Sequence, residues 1–412
     1  MSSAGVIETP TESNARFSYR LRVSEQNQRM LKTEWGLTRW VWNQCVEQSK
    51  TAYAASTPEN KLTCGPAELD RMLTGWRAEY EWLAAGSSVA QQQAIRDFGK
   101  ARRKALKDIK DRLPMSQRRG MPRFKSTKRD LPSLAYTKRG FSLKKDELGQ
   151  LRLYLAGGIE VRPVWSRSLP SEPTSVRIYE DACGAWWVSF VVKVSSQPLP
   201  ATGKNIGIDW GVREIATTTD DDCDLVHPEY GKQAQKKLTQ AQRKMARRKP
   251  KKGQTASIGY KLAKTQTARV HRKVKRQRQD TGRKWAKKVV RQNDGIAVED
   301  FRPKFLAKST MARKAADGAI SATKNELIFM AGKHLRDLRL VNPAGTTMEC
   351  SECGAIAKHR LELSMRIYTC EACDMVKPRD KNSATVILKR AGFHPVVLTT
   401  VRPGNPQGCQ AV

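Results

Sequence analysis

The sequence has few acidic residues for its basic content, and it has no long apolar run. Its 412 residues hold 40 Asp or Glu against 76 Lys or Arg, which gives a formal net charge of +36. The longest apolar stretches, such as Leu-Ile-Phe-Met within residues 326–330, are far shorter than the roughly 20 residues that a membrane-spanning helix needs. Residues 1–16 are polar and lack the apolar centre of a secretion signal. We therefore expect a cytoplasmic, nucleoid-associated protein whose main partner is nucleic acid.

The cysteines are odd in number, nine in all, and no export signal accompanies them. This argues against a framework of disulfides and favours reduced thiols, some of them metal ligands. Two Cys-x-x-Cys pairs, Cys350/Cys353 and Cys370/Cys373, are separated by 16 residues, which is the spacing of a four-thiolate zinc site. Since four protein ligands leave no open coordination position, the predicted zinc ion is structural. The alternatives are two disulfides or four unrelated thiols.

Local patterns divide the chain into helical and strand-rich segments. Alternation over residues 16–23 predicts a strand, after which Ser24 can cap a helix. Residues 67–113 have the composition of helices. A period of two then predicts strands, including a hairpin whose turn is at residues 181–184. Residues 195–203, with two prolines, indicate a linker into a second domain.

A strongly basic segment follows this linker. Residues 236–291 contain 22 Lys or Arg and one acid, Asp280. Such a run is often a solvated or disordered face. Here five apolar residues share one broad helical face, which indicates that part of the segment packs while its other face binds phosphate. These residues are Leu262, Val270, Val274, Trp285 and Val289.

Three acids lie at the ends of predicted strands or at the start of a predicted helix, where their carboxylates can project from the element. Asp209 and Glu299 each end a short apolar strand, and Asp380 begins a helix with an apolar face. Burying an acid costs free energy unless a cation neutralises it, and three carboxylates could hold two Mg²⁺ ions for phosphodiester hydrolysis. The alternative is that these acids are helix caps and turn residues. Asp300 leaves open which of two adjacent carboxylates points inward.

Taken together, these motifs resemble the TnpB family. They are Gly-Ile-Asp-Trp-Gly around Asp209, Val-Glu-Asp-Phe around Glu299, the paired Cys-x-x-Cys and Arg-Asp-Lys-Asn-Ser-Ala around Asp380, in that order. TnpB proteins are transposon-encoded, RNA-guided DNA endonucleases with a RuvC-type domain, and they are related to compact type V CRISPR effectors. The resemblance covers about residues 16–392. It implies that the three acids are catalytic Mg²⁺ ligands and that the cysteines hold a zinc ribbon.

The resemblance also implies a multidomain α+β fold. A β-barrel wedge domain with an inserted helical recognition bundle would precede an RNase-H-like α/β RuvC domain that carries the zinc ribbon. In chain order we expect a disordered start (1–15), the first part of the wedge domain (16–34), the recognition domain (35–120), the rest of the wedge domain (121–198), the RuvC domain with its basic helical insertion (199–344), the zinc ribbon (345–377), the end of the RuvC domain (378–395) and a flexible tail (396–412).

The implied activity is cleavage of double-stranded DNA directed by a noncoding guide RNA, next to a short motif that the protein reads. Binding of a second copy of the protein on the RNA stays open. Gln92 belongs to a glutamine triplet, 91–93, whose amides could read adenine, although ordinary surface polarity is the alternative. The residues expected to contact nucleic acid are Arg39, Gln92, Arg118, Arg119, Arg123, Lys125, Arg247, Arg248, Arg272, Lys273 and Arg276.

Two other functions stay open. One is a CRISPR effector of the same architecture, which would act by occupancy more than by cutting. The other is a non-catalytic zinc-ribbon protein that binds nucleic acid, in which the acids have only local structural roles.

Overall fold

The computed structural model describes residues 5–6, 12–57, 59–60, 62, 64–251, 253–301, 309–359, 361–362 and 364–394. The chain divides into two compact units. Residues 12–194 form the first unit, and residues 195–412 form the second together with residues 1–11. The predicted tail lies outside the described residues. None of the helices in the described part of the chain has the length and apolarity that crossing a membrane requires.

Within the described residues, the first unit combines helices with a seven-stranded sheet. The helices are α1 (Glu25–Ala54), α2 (Pro66–Glu79), α3 (Glu81–Ala84) and α4 (Ser88–Lys110). The strands are β2 (Glu12–Arg22), β3 (Ser133–Thr137), β4 (Phe141–Lys145), β5 (Leu151–Leu155), β6 (Ile159–Pro163), β7 (Pro173–Glu180) and β8 (Trp186–Ser195).

This sheet is curled into a nearly closed barrel. Its strand order is β3-β7-β8-β2-β6-β5-β4, so β3 and β4 lie at opposite edges. Only the three residues Lys138–Gly140 join these two edge strands. In a flat sheet the edge strands would be roughly 29 Å apart, at about 4.8 Å per strand, whereas this link spans at most about 15 Å. The sheet must therefore bend until its two edges come near each other.

Local sequence explains how several of these elements begin and turn. Ser24 caps α1, because its hydroxyl accepts a hydrogen bond from the N–H of Asn27 at 3.2 Å. At the hairpin between β7 and β8, Asp181 Oδ1 accepts two backbone N–H groups of the turn at 2.8 and 3.0 Å, and Gly184 has a φ of +77°. Both predictions are confirmed. The first long strand begins at Glu12, earlier than the alternating pattern indicated.

The second unit is built on a six-stranded sheet in the order β1-β13-β12-β9-β10-β11. Strands β9, β12 and β13 run parallel, and β10 is antiparallel to β9. The strands are β1 (Gly5–Val6), β9 (Asn205–Trp210), β10 (Glu214–Thr218), β11 (Leu225–Val226), β12 (Gly295–Glu299) and β13 (Asp337–Val341), with a separate hairpin of β14 (Ile367–Thr369) and β15 (Val376–Pro378). The helices are α5 (Tyr230–Arg247), α6 (Ile258–Gln292), α7 (Ala312–Gly318), α8 (Ile320–Lys333) and α9 (Arg379–Arg390).

Side chains alternate between the two faces of this sheet. Ile208 and Val298 belong to a buried cluster that includes Trp285 of α6 and other residues of α6 and α8. Ala297 belongs to a different cluster, with Ile387 of α9. Helices α6 and α8 therefore cover one face, and α9 covers the other.

The basic segment forms two packed helices, α5 and α6. Val274, Trp285 and Val289 are buried, as their helical spacing predicted. Leu262 is 64% exposed, so the prediction is wrong at that position. In the first turns of α6 the smaller Ala263 is the buried residue instead. A close approach of the two helices favours a small side chain at that point.

Candidate active site

Asp209 and Glu299 lie side by side at the carboxyl ends of two parallel strands. Strands β9 and β12 pair in register up to Ile208 and Val298, so the two acids are the next residues on neighbouring strands. Their side chains share a hydrogen bond, and Glu299 also accepts one from the backbone N–H of Trp210. Carboxyl ends of parallel strands are a frequent location of binding sites. Two short apolar strands thus bring two acids to one point.

Helix α9 brings Asp380 to the same face of the sheet. The helix lies on β9 at Gly207, where a Cβ atom would overlap the carbonyl oxygen of Ala384 and lie 2.9 Å from Cβ of Leu388. Asp380 is one helical turn before Ala384, and Asp209 is two residues beyond Gly207 on the strand. The charge of Asp380 raises the pKa of Asp209, which means that the two carboxyl groups interact. Because Gly207 has no side chain, α9 can approach β9 closely enough for Asp380 to interact with Asp209.

The site gathers acidic groups that raise one another's pKa, and one cation, Arg379, has its Nε 3.4 Å from Asp380 Oδ1. Burial raises the pKa of Asp209 well above its ordinary value, the charges of Glu299 and Asp380 raise it further, and Arg379 opposes them. Burial also raises the pKa of Glu299, although its hydrogen bonds and the charge of Lys324 act in the other direction. Converging carboxylates of this kind are typical ligands of hard divalent cations, so the donor set fits Mg²⁺.

Asp300 faces the opposite side of the sheet. Ala297 packs against α9, and because strand residues alternate, Glu299 shares its face whereas Asp300 does not. Asp300 Oδ1 accepts a hydrogen bond from Lys324 Nζ of α8 at 2.7 Å. Glu299 is therefore the acid that points towards Asp209.

The four predicted zinc ligands converge. Among the described residues, one group of candidate metal ligands has all its donor atoms within 4.8 Å of one another, and it consists of Cys350, Cys353, Cys370 and Cys373. The oxygens of the three acids do not meet this distance limit. The Sγ atoms of Cys350 and Cys373 are 3.7 Å apart, and those of Cys353 and Cys370 are 3.6 Å apart. Tetrahedral zinc with bonds of about 2.3 Å places its sulfurs roughly 3.8 Å apart, whereas a disulfide needs about 2.05 Å. The cysteines fit zinc and are not disulfide-bonded.

The pKa values of the two thiols of the second pair are shifted in opposite directions. Backbone N–H groups, of which that of Ala372 has the largest effect, donate hydrogen bonds to Cys370 and lower its pKa to about 7. A backbone hydrogen bond from Met375 lowers the pKa of Cys373, but hydrogen bonds with the other thiols outweigh it and raise this pKa to about 12. Gly354, directly after the first pair, has a φ of +76°, and Asp374, directly after the second, has a φ of +54°. These left-handed residues turn the chain tightly around each pair of sulfurs.

Two polar residues of α9 that the sequence patterns did not single out hold the helix in place. Lys381 Nζ donates hydrogen bonds to Asp224 Oδ2 at 2.7 Å and to the carbonyl of Thr218 at 2.9 Å. Asn382 is fully buried and accepts a hydrogen bond from the N–H of Ser351 at 2.8 Å. A polar run directly after Asp380 was visible in the sequence. Its partners, however, come from segments far away in the chain.

Several predicted nucleic-acid contacts of the first unit have structural partners. Lys125 Nζ lies 3.5 Å from the centre of the Trp42 ring, and burial lowers the pKa of this lysine. The carbonyl of Arg123 accepts a hydrogen bond from Trp42 Nε1 at 3.0 Å. Arg118 and Arg119 are held near the end of α4 by hydrogen bonds of 2.6 and 2.8 Å. These contacts tie the basic loop to helices α1 and α4.

The glutamine triplet on α4 does not act as one surface. Gln91 is fully buried, accepts a hydrogen bond from Arg77 at 2.7 Å and donates one to a backbone carbonyl at 2.8 Å. The interpretation of Gln91 as a base contact is therefore wrong, because both ends of its amide are used inside the unit. Gln92 is partly exposed. Arg39 is also partly exposed, with its guanidinium 5.6 Å from the centre of the Trp35 ring.

The predicted contacts on the basic helices of the second unit are more accessible. Arg247 on α5 and Lys273 and Arg276 on α6 are exposed. Arg248 donates a hydrogen bond to the carbonyl of Gly259 at 3.3 Å, and Arg272 is partly buried.

Two family models match the chain. Residues 189–310 match the OrfB_IS605 family, described as "Probable transposase". Residues 323–387 match the family "Cas12f1-like, TNB domain". The three acids and the four cysteines all lie within these two matched segments.

Individual proteins are similar over larger parts of the chain. A "Putative RNA-guided DNA endonuclease" of Streptomyces pristinaespiralis is 29% identical over 379 residues, which cover 90% of this chain and 88% of that protein. The "TnpB-like protein L79" of Acanthamoeba polyphaga mimivirus is 31% identical over 126 residues, 29% of this chain and 24% of that protein. A solved complex of Cas12f1 with sgRNA and target DNA covers 92% of this chain and 99% of its own, with a TM-score of 0.56 and 13% identity. The last similarity shows a related mixed α/β fold.

Proposed function

We propose that this TnpB-like chain is a transposon-associated, RNA-guided DNA endonuclease. It would bind a noncoding guide RNA, recognise a short motif beside the target, and cleave double-stranded DNA at one RuvC-type active site. The near full-length similarity to a protein named as an RNA-guided DNA endonuclease supports the substrate and the guide. The chain's own residues support the chemistry.

The observation that carries this proposal is the meeting of three acids from distant parts of the sequence. Asp209 is the penultimate residue of β9, Glu299 ends β12, and Asp380 lies in the first turn of α9. The competing interpretation of these acids as local caps accounts for them poorly. The cap position of α9 is Pro378, and Glu299 is only 7% exposed and hydrogen-bonded to Asp209. A cluster of carboxylates whose charge is only partly balanced, by Arg379 at 3.4 Å from Asp380 and by Lys324, favours a metal-binding role.

In this proposal Asp209, Glu299 and Asp380 hold two Mg²⁺ ions. When bound, the ions would activate water and stabilise the leaving oxygen of the phosphodiester. Glu299, through its hydrogen bonds to Asp209 and to the N–H of Trp210, keeps the two strand carboxylates in one orientation. Two cations partly balance the charge of the cluster: Arg379, whose Nε lies 3.4 Å from Asp380 Oδ1, lowers the pKa of Asp209, and Lys324 lowers that of Glu299.

The architecture would follow the TnpB pattern. The curled sheet of the first unit would be the wedge domain at residues 16–34 and 121–198, with the helical recognition domain at 35–120 between its parts. The sheet of the second unit would be the RuvC domain, at residues 199–344 and 378–395. The segment at 345–377 would be the zinc ribbon, in which one structural Zn²⁺ is held by the four cysteines.

Guide RNA and target DNA would be bound largely by phosphate contacts. The exposed cations Arg247, Lys273 and Arg276 project from α5 and α6, where the acid content is very low. Neutralising phosphates by such cations gives strong binding that depends on salt and not on sequence. Sequence specificity would then come from base pairing with the guide.

The test is to co-express the chain with the DNA that flanks its coding region, purify the complex and sequence the RNA that remains bound. The complex is then incubated with a plasmid carrying a matching target and Mg²⁺. We expect a discrete noncoding RNA and a guide-dependent cut, and we expect Asp209→Ala to retain the RNA but to lose the cut. Unchanged cleavage by Asp209→Ala would remove the proposed active site.

A CRISPR effector of the same architecture is the second candidate, because residues 323–387 match a Cas12f1-like domain. The bound RNA separates the two. Repeat-derived RNA would favour the effector, whereas RNA from a transposon end would favour the TnpB-like nuclease.

A further inference from the structure

We propose that Asn382 is a positioning residue that couples the four-cysteine metal centre to Asp380. Through it, loading of the cysteines with zinc would set the affinity of the carboxylate site for divalent cations. The inference rests on the proposed function, since it treats Asp380 as a ligand of Mg²⁺.

Asn382 binds the first cysteine pair with both ends of its amide. Its Oδ1 accepts a hydrogen bond from the N–H of Ser351 at 2.8 Å, and its Nδ2 donates one to the carbonyl of Glu349 at 2.7 Å. Ser351 lies between Cys350 and Cys353, and Glu349 directly precedes them. Asn382 itself is 0% exposed. The amide therefore has no alternative partner in water, and leaving either end unpaired would carry the full cost of desolvating that group.

The same helix is tied to the cysteine segment at two more places. At its far end, Arg390 Nε donates to Glu349 Oε2 at 2.8 Å. At its start, Arg379 donates through its backbone N–H to the carbonyl of Arg366 at 2.8 Å and through Nη1 to the carbonyl of Glu362 at 3.0 Å. Strand β15 runs directly into the helix at Pro378. The second cysteine pair thus lies in the turn of the hairpin of β14 and β15, and β15 connects it directly to the first turn of α9.

Asp380 therefore lies in a helical turn that is supported from two sides. On the sheet side, Lys381 donates hydrogen bonds to Thr218 and Asp224, and the backbone of Ala384 packs against Gly207. On the other side, the support is the cysteine segment. Small metal-binding segments of this kind depend on their metal for a fixed structure. Without zinc, the partners of Asn382 would lose their fixed positions, and Asp380 would keep only the support from the sheet.

The experiment measures binding of Mn²⁺, as a paramagnetic substitute for Mg²⁺, to the purified protein–RNA complex by electron paramagnetic resonance. We expect Asn382→Ala to raise the Mn²⁺ dissociation constant about tenfold, the size typical for loss of an outer hydrogen-bond partner at a metal site. The matched control is Tyr368→Phe, which removes a hydrogen bond of 3.2 Å from Tyr368 to the carbonyl of Met348, a bond inside the cysteine segment in which no residue of α9 takes part. This control should change the Mn²⁺ affinity less than twofold.

Zinc removal from the wild-type complex with a chelator that does not bind Mn²⁺ provides a measurement that needs no variant. It should lower the Mn²⁺ affinity by a factor similar to that of Asn382→Ala. The two treatments combined should produce little further loss, because they interrupt the same connection. A zinc-free wild-type complex with unchanged Mn²⁺ affinity would overturn the coupling, and so would effects of the two treatments that multiply.

The variants Asp209→Ala and Asn382→Ala distinguish a failure of the proposed nuclease function from a failure of the proposed coupling. If Asp209→Ala abolishes cleavage while Asn382→Ala binds Mn²⁺ like the wild type, only the coupling is wrong. If Asp209→Ala cleaves normally, the carboxylate site itself is wrong.

Discussion

Glu299 and Asp300 are adjacent in the chain and face opposite sides of the same sheet. Glu299 shares a hydrogen bond with Asp209 under helix α9, whereas Asp300 pairs with Lys324 of α8 at 2.7 Å. Two neighbouring carboxylates of almost equal chemistry are thereby given different surroundings. The difference arises from strand alternation and can be tested by changing each acid separately.

We expect Glu299→Gln to lower target cleavage at least about 100-fold, since even outer partners of metal ligands are worth about 10- to 100-fold. The matched variant Asp300→Asn should keep cleavage within severalfold of wild type, because this residue lies on the other face. Both variants are assayed as guide-RNA complexes on a linear target at fixed Mg²⁺. The reverse order of effects would show that Asp300 is the inward acid.

The close contact between β9 and α9 predicts that Gly207 tolerates no side chain. Gly207→Ala would push against the backbone of Ala384, and we expect a loss of about 1–3 kcal/mol in the free energy of unfolding, together with weaker divalent-cation binding. The control is Gly75→Ala in α2, where a Cβ would meet nothing within 4 Å. That change should stabilise the protein by about 0.5–1 kcal/mol. Urea unfolding measures both, and a neutral Gly207→Ala would contradict the packing described.

The cysteine cluster predicts one zinc ion per chain. Cys370→Ser should reduce the zinc content measured by atomic emission, and it should lower the thermal midpoint of the protein, because the metal supplies folding free energy to this segment. Cys183→Ser changes a partly buried thiol in the turn between β7 and β8, outside the cluster. It should keep full zinc content. Equal zinc contents in both variants would argue against the four-thiolate site.

A buried ion pair joins the helices of the basic segment to α7. Asp317 is 6% exposed, accepts hydrogen bonds from Arg278 Nη2 at 2.6 Å and from the N–H of Gly231 at 2.8 Å, and so fixes the start of α5. We expect Asp317→Asn to cost about 2–4 kcal/mol of unfolding free energy at pH 7, because it leaves the charge of Arg278 without its partner. The pair of Arg283, which is exposed, and Glu326, which is partly exposed, is the control, and Glu326→Gln should cost less than about 1 kcal/mol.

The same ion pair sets a pH dependence. Burial opposes ionisation of Asp317, but the hydrogen bonds and charge of Arg278 outweigh it, and the pKa of this carboxyl is lowered on folding. The stabilisation is thus complete above the ordinary aspartate pKa and is lost as the pH falls through the lower folded-state value. The difference in urea midpoint between wild type and Asp317→Asn should shrink as the pH is lowered below about 4. A difference that stays constant with pH would contradict this assignment.

Much of the candidate site was predictable because its signals are local. The two Cys-x-x-Cys pairs carry their spacing in the chain, and tight turns at Gly354 and Asp374 let them form a cluster. The acids Asp209 and Glu299 were visible as the ends of apolar strands. The resemblance to TnpB rested on the same short motifs, and it agrees with the family and relative matches.

Other assignments failed or stayed undecided because they depend on packing between distant segments. Gln91 has the same side chain as its neighbour Gln92, but it is buried where α4 meets the turn after α3. Leu262 fits the helical stripe of α6 and is nevertheless exposed. Periodicity determines which residues share a face, but it does not determine how far along a helix that face stays covered.

The sequence alone was sufficient to predict a basic protein with nucleic acid as its partner, four candidate thiolate ligands and three candidate carboxylates, because charge, spacing and period are properties of the chain itself. Only the tertiary structure showed that Glu299, and not Asp300, faces Asp209. It also showed that α9 packs closely on β9 at Gly207 and that Asn382 links this helix to the cysteine segment. These relationships arise from contacts between residues more than 30 positions apart. Which distant surfaces meet is decided by the burial of the whole sheet between its two layers of helices, and no local pattern encodes that.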